Sequence, residues 1–204
     1  SQKNQNLLSL EPSLYFVEAP STCNELFLTD YLMTREDSLR NKRYVVASIL
    51  GNTYYHNFVT HFLEAYFQKR VYDKVDAGEA LTTDELHKIK REVLKEFWGD
   101  SVIIDEKAGY TWMRQPHYYM WLYPFTYSAG LSLATNAFLG IKDGSITRDK
   151  WLDLLKAGGT MTPKEMAAHL GVNIETPKAL QRSIAYVNTL VDELIELSCA
   201  LEEE

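Results

Sequence analysis

Apolar residues along this chain recur at threes and fours rather than at twos, which predicts helices almost throughout. Over 38–75 the positions Val45, Ile49, Phe58, Val59, Phe62, Leu63, Tyr66, Phe67 and Val71 keep that spacing, and Ala77-Gly78 ends the run. Leu86, Ile89, Val93, Leu94 and Phe97 predict an amphipathic helix opened at Thr83 and closed by Gly99. Pro20 suits the first turn of an earlier helix over 21–33, where its missing N–H is not needed. A helix over 117–140 would contain Pro124, which removes a hydrogen bond to the Met120 carbonyl and should kink it there. Short helices are expected over 147–156 and 162–170, and a terminal one over roughly 177–201. Only 100–116 breaks the period, so one long irregular loop is expected around 99–116. The pattern reads as all-α, a single helical domain over 1–204, without internal repeats.

Composition narrows the partners. At 204 residues with 46% apolar content the chain can bury a sizeable core. Its 21 Lys and Arg against 28 Asp and Glu leave a formal charge of -7, which argues against nucleic acid or an anionic membrane as the main partner. No window approaches ~18 uninterrupted apolar residues, so no membrane span is expected. The start "SQKNQNLLSLEPS" lacks a signal-peptide pattern, and Cys23 and Cys199 form no metal or disulfide motif. A cytoplasmic, reduced setting follows as the expectation.

Two stretches invite chemistry. In "YFVEAPSTCNEL" Glu18 follows an apolar tripeptide, where desolvation should be costly, and Glu25 comes seven residues later. Seven residues are two helical turns, so the two carboxylates differ by only about 20° in direction. Such a pair suits a metal ligand and an acid that orients another ligand. Equally, one acid favoured by a helix N-terminus and one unrelated exposed acid would look the same. In "RQPHYYMWLYPFTYSAG" the spacing of Tyr119, Tyr123 and Tyr127 by four predicts one stripe of phenols, with His117 at its mouth. Phenol and imidazole can steady an oxyanion developing on a carbonyl carbon. An aromatic core face with its hydroxyls at the rim is the alternative.

Other candidates carry less. His56 and His61 are five apart, about 140° around an α-helix, so they cannot share a metal as an i, i+4 pair does. His87 and His169 read as surface residues, and no histidine neighbours either cysteine to activate it. Gly158 and Gly159 in "KAGGT" most simply end a helix, and could also let an extended peptide approach the backbone.

With both clusters in view, the chain resembles the carboxyl-terminal part of the catalytic domain of the oligoendopeptidase F family, relatives of thimet oligopeptidase. "YFVEAPSTCNE", "GYTWMRQPHYYMWLYPFTYSAGL" and "LKAGGTMTPKEMAAHLGV" carry the likeness, in the family's order and over nearly the whole chain. The resemblance implies the multi-helix half of a zincin-like peptidase domain, with one zinc ion in the intact enzyme and short peptides as substrates. It implies Glu18 as the third zinc ligand and Glu25 as the acid holding a ligand histidine. His117, Tyr123 and Tyr127 correspond to transition-state and substrate donors, and Tyr119, Gly158 and Gly159 to the substrate wall. Phe125 stands where many relatives carry tyrosine.

The family's H-E-x-x-H helix is missing from this sequence. In relatives the glutamate ligand follows the second histidine by roughly 25 residues, which would put the motif just before Ser1. The chain is therefore expected to be a fragment whose amino-terminal half lies elsewhere in the same polypeptide. Alone it should be inactive, hold zinc weakly or not at all, and self-associate through apolar surface. A noncatalytic helical interaction module that retains the family fold is the other reading.

Overall fold

The computed structural model describes residues 5–203, and among these there is no strand. The chain is all-α. It packs as two compact units, one made of residues up to Phe58 with those from Thr126 onward, the other of Val59–Phe125.

In the first unit, α1 (Leu14–Val17) and α2 (Ala19–Arg35) meet at Glu18, with Pro20 in the first turn of α2. The helix α3 (Leu39–Ser48) is capped by the Ser38 hydroxyl. After α6 (Pro124–Asp143) come α7 (Arg148–Ala157), α8 (Pro163–His169) and the long α9 (Lys178–Glu202). The core is built from one face of each: Phe16, Cys23 and Leu26, then Val46, then Leu131, Ala134 and Phe138, with Trp151, Met166 and Leu190. A buried polar group locks α6 to α9, where Asn136 Nδ2 donates to the carbonyls of Ser132 and Ala179. Ser183 Oγ, also buried, donates to Ala179 and Ser132. Buried amides and hydroxyls are tolerated because each has partners.

In the second unit, α4 (His61–Asp76) lies against α5 (Thr83–Trp98). Leu63, Phe67, Ile89 and Val93 form the core, covered by Trp112 and Tyr118. Thr82, one residue before the expected cap, closes a capping box with Glu85, and Gly99 ends α5 at φ 56°.

Three elements differ from the periodicity. The expected helical run over 38–75 contains a π-helix, Ile49–Thr60, between α3 and α4. The expected loop around 99–116 contains a 3-10 helix, Glu106–Arg114, held close to α5 because Gly109 lacks a side chain there. A Cβ on Gly109 would stand 3.0 Å from the His87 carbonyl. Finally, α6 starts at Pro124 rather than kinking at it. Proline costs nothing in a first turn, and it disfavours the helical region for the residue before it.

Candidate functional site

The consequence falls on the phenols. His117 and Tyr119 lie on a short 3-10 turn, Pro116–Tyr119, and Trp121 then takes a left-handed φ of 58°. Gln68, buried on α4, donates to the Trp121 carbonyl at 2.7 Å and holds the bend. The expected single stripe of Tyr119, Tyr123 and Tyr127 on one helix is thus not formed. Tyr119 is 79% exposed. Tyr123 stacks on His117, with ring centres 5.5 Å apart and 19° between planes. Tyr127 belongs to α6 and to the other unit.

Glu18 is half-buried at the junction of α1 and α2, where Ser21 Oγ donates to its Oε2 at 3.2 Å. Behind it lies α6. A Cβ built on Gly130 would come within 2.9 Å of Ala19 N and 3.2 Å of Glu18 Cβ, so only glycine lets α6 approach this closely. Tyr127 is three residues before Gly130, one turn along the same side of the helix. Ser128 Oγ donates to the Asn57 carbonyl at 2.6 Å and pins that turn. Glu25, exposed on α2, accepts from Thr53 Oγ1 at 2.6 Å. The structure thus brings Glu18 and α6 together. It also gives Glu25 a hydroxyl that fixes one of its oxygens.

The glycines of the turn after α7 are covered by the chain itself. A Cβ on Gly159 would lie 2.4 Å from the Glu11 carbonyl, and one on Gly158, at φ 55°, 2.7 Å from that of Ser9. Gln5 Nε2 donates to the Lys156 carbonyl at 2.6 Å beside them. The close backbone approach expected for a peptide is made here by residues 5–11.

Several groups are not announced by the sequence pattern. His61, set aside for its spacing from His56, is 2% exposed and its Nδ1 lies 2.6 Å from Glu64 Oε2. His117 meets His61 edge-to-face with ring centres 5.4 Å apart, and Gln115 Nε2 lies 3.0 Å from His117 Nδ1. Burial works to raise the Glu64 pKa, but hydrogen bonds from His61 and Gln115 and the charges of His61 and Lys90 hold it below the ordinary carboxyl range. The i, i+3 spacing of His61 and Glu64 is the one local signal of this contact. His87 and His169 are half-buried, each with a buried Nε2 lacking a partner, not surface residues. A cleft of about 800 Å³ beside α5 includes His87 and Tyr110, but none of the residues singled out for catalysis.

Lys90 is buried over the Phe67 ring at 5.5 Å. Burial lowers its pKa to about 8 from 10.5, against the pull of Glu64. The unfolded ammonium holds its proton to higher pH, so between pH 8 and 10.5 stability should rise with pH, and below 8 the whole penalty is carried. Lys90→Met is expected to stabilise the protein by about 1–2 kcal/mol at neutral pH and to flatten that alkaline rise. Thermal melts of both proteins across that range check it. A variant less stable at pH 7 would show that Glu64 depends on the ammonium.

Residues 1–186 match the model of Peptidase family M3, and the chain belongs to that family. It is 28% identical over 186 residues to Oligopeptidase PepF of Bacillus subtilis, covering 91% of this chain and 28% of that protein. To the chromosomal Oligoendopeptidase F of Lactococcus lactis subsp. cremoris it is 26% identical over 198 residues, 97% of this chain and 33% of the relative. Oligoendopeptidase-F from Enterococcus faecium superposes with a TM-score of 0.81 at 26% identity, over 94% of this chain and 36% of that one. A putative peptidase from Chlamydophila abortus shares the fold at TM-score 0.83 and 24% identity. The chain spans about a third of the length of these relatives.

Zinc, which the family implies, can be tested against the residues present. Glu18 offers one carboxylate, whereas a catalytic zinc site needs three protein donors. Among the described residues, the one group of three candidate donors that converges contains neither Glu18 nor Glu25. Among the described residues, then, Glu18 has no second or third donor beside it to complete a zinc site.

Proposed function

We propose that this chain is the carboxyl-terminal part of the catalytic domain of a zinc-dependent oligoendopeptidase acting on short peptides in the cytoplasm. The observation that carries the reading is the seat of Glu18. In a family M3 chain, a half-buried carboxylate is braced by α6 through Gly130, with Tyr127 one helical turn before that glycine.

The remaining metal donors and the general base come, in this reading, from an H-E-x-x-H segment outside these 204 residues. When bound, zinc supplies Lewis-acid polarisation of water and of the scissile carbonyl. The residues of this chain then have separate tasks. Glu18 gives its carboxylate as the third donor, which offsets the cost of half-burying the charge. Glu25, fixed by Thr53, orients a ligand imidazole by accepting its N–H. Tyr127 donates to the oxygen that gains charge as the peptide carbonyl turns tetrahedral. His117 and Tyr123, stacked together, donate to the substrate backbone or to that oxygen. Tyr119 is assigned to the substrate wall. Gly158 and Gly159, which the resemblance also assigns to substrate, are covered by residues 5–11.

The experiment is direct. The intact protein, with the sequence upstream of Ser1, should carry H-E-x-x-H, hold zinc and cleave short peptides, and Glu18→Gln should abolish cleavage. A polypeptide without that motif would support the noncatalytic module instead. The 204-residue chain alone is expected to cleave no peptide, and turnover by it would overturn this division of labour.

A further inference from the structure

A second cluster of chemistry-bearing side chains lies away from Glu18, in the second unit. His61, Glu64 and His117 each place a ligand atom within 4.8 Å of the other two. We propose that these three side chains form a separate site for a borderline divalent transition ion, with zinc or cobalt as the type.

The arrangement follows from two elements. His61 and Glu64 share one face at the start of α4, at the i, i+3 spacing. His117 reaches them from the 3-10 turn at Pro116–Tyr119. Two ligands of a tetrahedral zinc ion at about 2.0–2.1 Å stand about 3.3 Å apart. Closing from 4.8 Å therefore asks each side chain to move less than about 1 Å. The 2.6 Å contact between His61 Nδ1 and Glu64 Oε2 opens slightly as the ion takes the place of a shared proton.

The donor types choose the ion. Two imidazoles and one carboxylate suit zinc, cobalt or nickel, whereas calcium and magnesium want oxygen donors. Gln115 Nε2 lies against both Glu64 and His117 Nδ1, so binding an ion asks this amide to turn and offer its oxygen to a His117 N–H or to release the Nδ1 lone pair. The burial of His61 excludes water from one side, and the partial exposure of Glu64 and His117 leaves a route of entry.

This site does not rest on the peptidase reading. If both hold, an occupied site withholds from substrate the imidazole assigned to His117.

The test is cobalt binding by the 204-residue chain after chelator treatment, read by visible absorption and calorimetry, followed by displacement with zinc. One equivalent is expected, with the absorption of a low-coordinate nitrogen-and-oxygen site. His61→Phe, His117→Phe and Glu64→Gln should each weaken binding by about 100-fold or more, while Glu18→Gln leaves it unchanged. Circular dichroism identifies the variants that fold, and Glu64→Gln is the mildest of them. No uptake at a large excess of ion would overturn the site, as would unchanged binding by any folded variant of the three. Loss of binding in Glu18→Gln alone would do the same. Peptidase activity enters none of these readouts, so failure of the ion site leaves the proposed function standing.

Discussion

Tyr127→Phe in the intact protein is expected, on the proposed peptidase reading, to lower peptide turnover by about 10²–10³-fold while any bound zinc is retained. The change removes one oxygen and keeps the ring, so the packing of the first turn of α6 survives. That turn is fixed from both ends, by Pro124 at its start and by Ser128 donating to Asn57. A donor held this firmly costs little reorganisation when charge develops beside it, and its loss removes about 2.7–4 kcal/mol of transition-state stabilisation. The loss should appear in kcat and kcat/KM together, with KM little changed, because the bond strengthens only in the transition state. Tyr123→Phe should keep its stacking on His117 and cost less. A fall below about threefold for Tyr127→Phe would make the ring a packing residue and move the oxyanion donor elsewhere.

Where local rules and tertiary packing agree, the sequence is easily read. Along α5, apolar spacing, a threonine cap and a terminal glycine all point to one helix, and the structure differs only by placing the cap at Thr82. The long run over 38–75 is helical as its periodicity demands. Apolar spacing does not encode hydrogen-bond register, however, so the π-helix at Ile49–Thr60 could not be read from it. Between Pro116 and Pro124 the i, i+4 tyrosines suggested a helix. Two prolines bracket a segment too short to repay nucleation, and the buried Gln68 amide captures the Trp121 carbonyl instead.

The site residues show the same division. Glu18 stands out in the sequence because a charge behind Tyr15-Phe16-Val17 defies the hydrophobic pattern, and it lies half-buried. The grouping of His61, Glu64 and His117 is invisible there because its third member arrives from a distant turn. No local spacing announces a contact of that kind. The bracing of Glu18 is hidden for a related reason. Gly130 looks like any small residue in a helix until the opposing backbone is known.

That opposing backbone makes Gly130→Val the second large effect. The added Cβ would stand 2.9 Å from Ala19 N and 3.1 Å from Glu18 C, which are main-chain atoms and cannot rotate away. Nor can α6 recede, because Leu131, Leu133 and Ala134 beside it are fully buried in the core. The overlap should cost about 3 kcal/mol or more, with two further methyl groups to place. At about 2–4 °C per kcal/mol, melting should fall by roughly 6–12 °C. Gly51→Val supplies the contrast: it is also helical, nothing lies within 4 Å of its added Cβ, and it should change stability by less than about 1 kcal/mol. If Glu18 is the third zinc donor of the intact protein, as proposed, the Gly130 variant should also hold zinc about 10–100-fold more weakly, because the wedge displaces Glu18. If the two valine variants melt together, α6 is not the brace that sets Glu18, and its half-buried position must come from α1 and α2 alone.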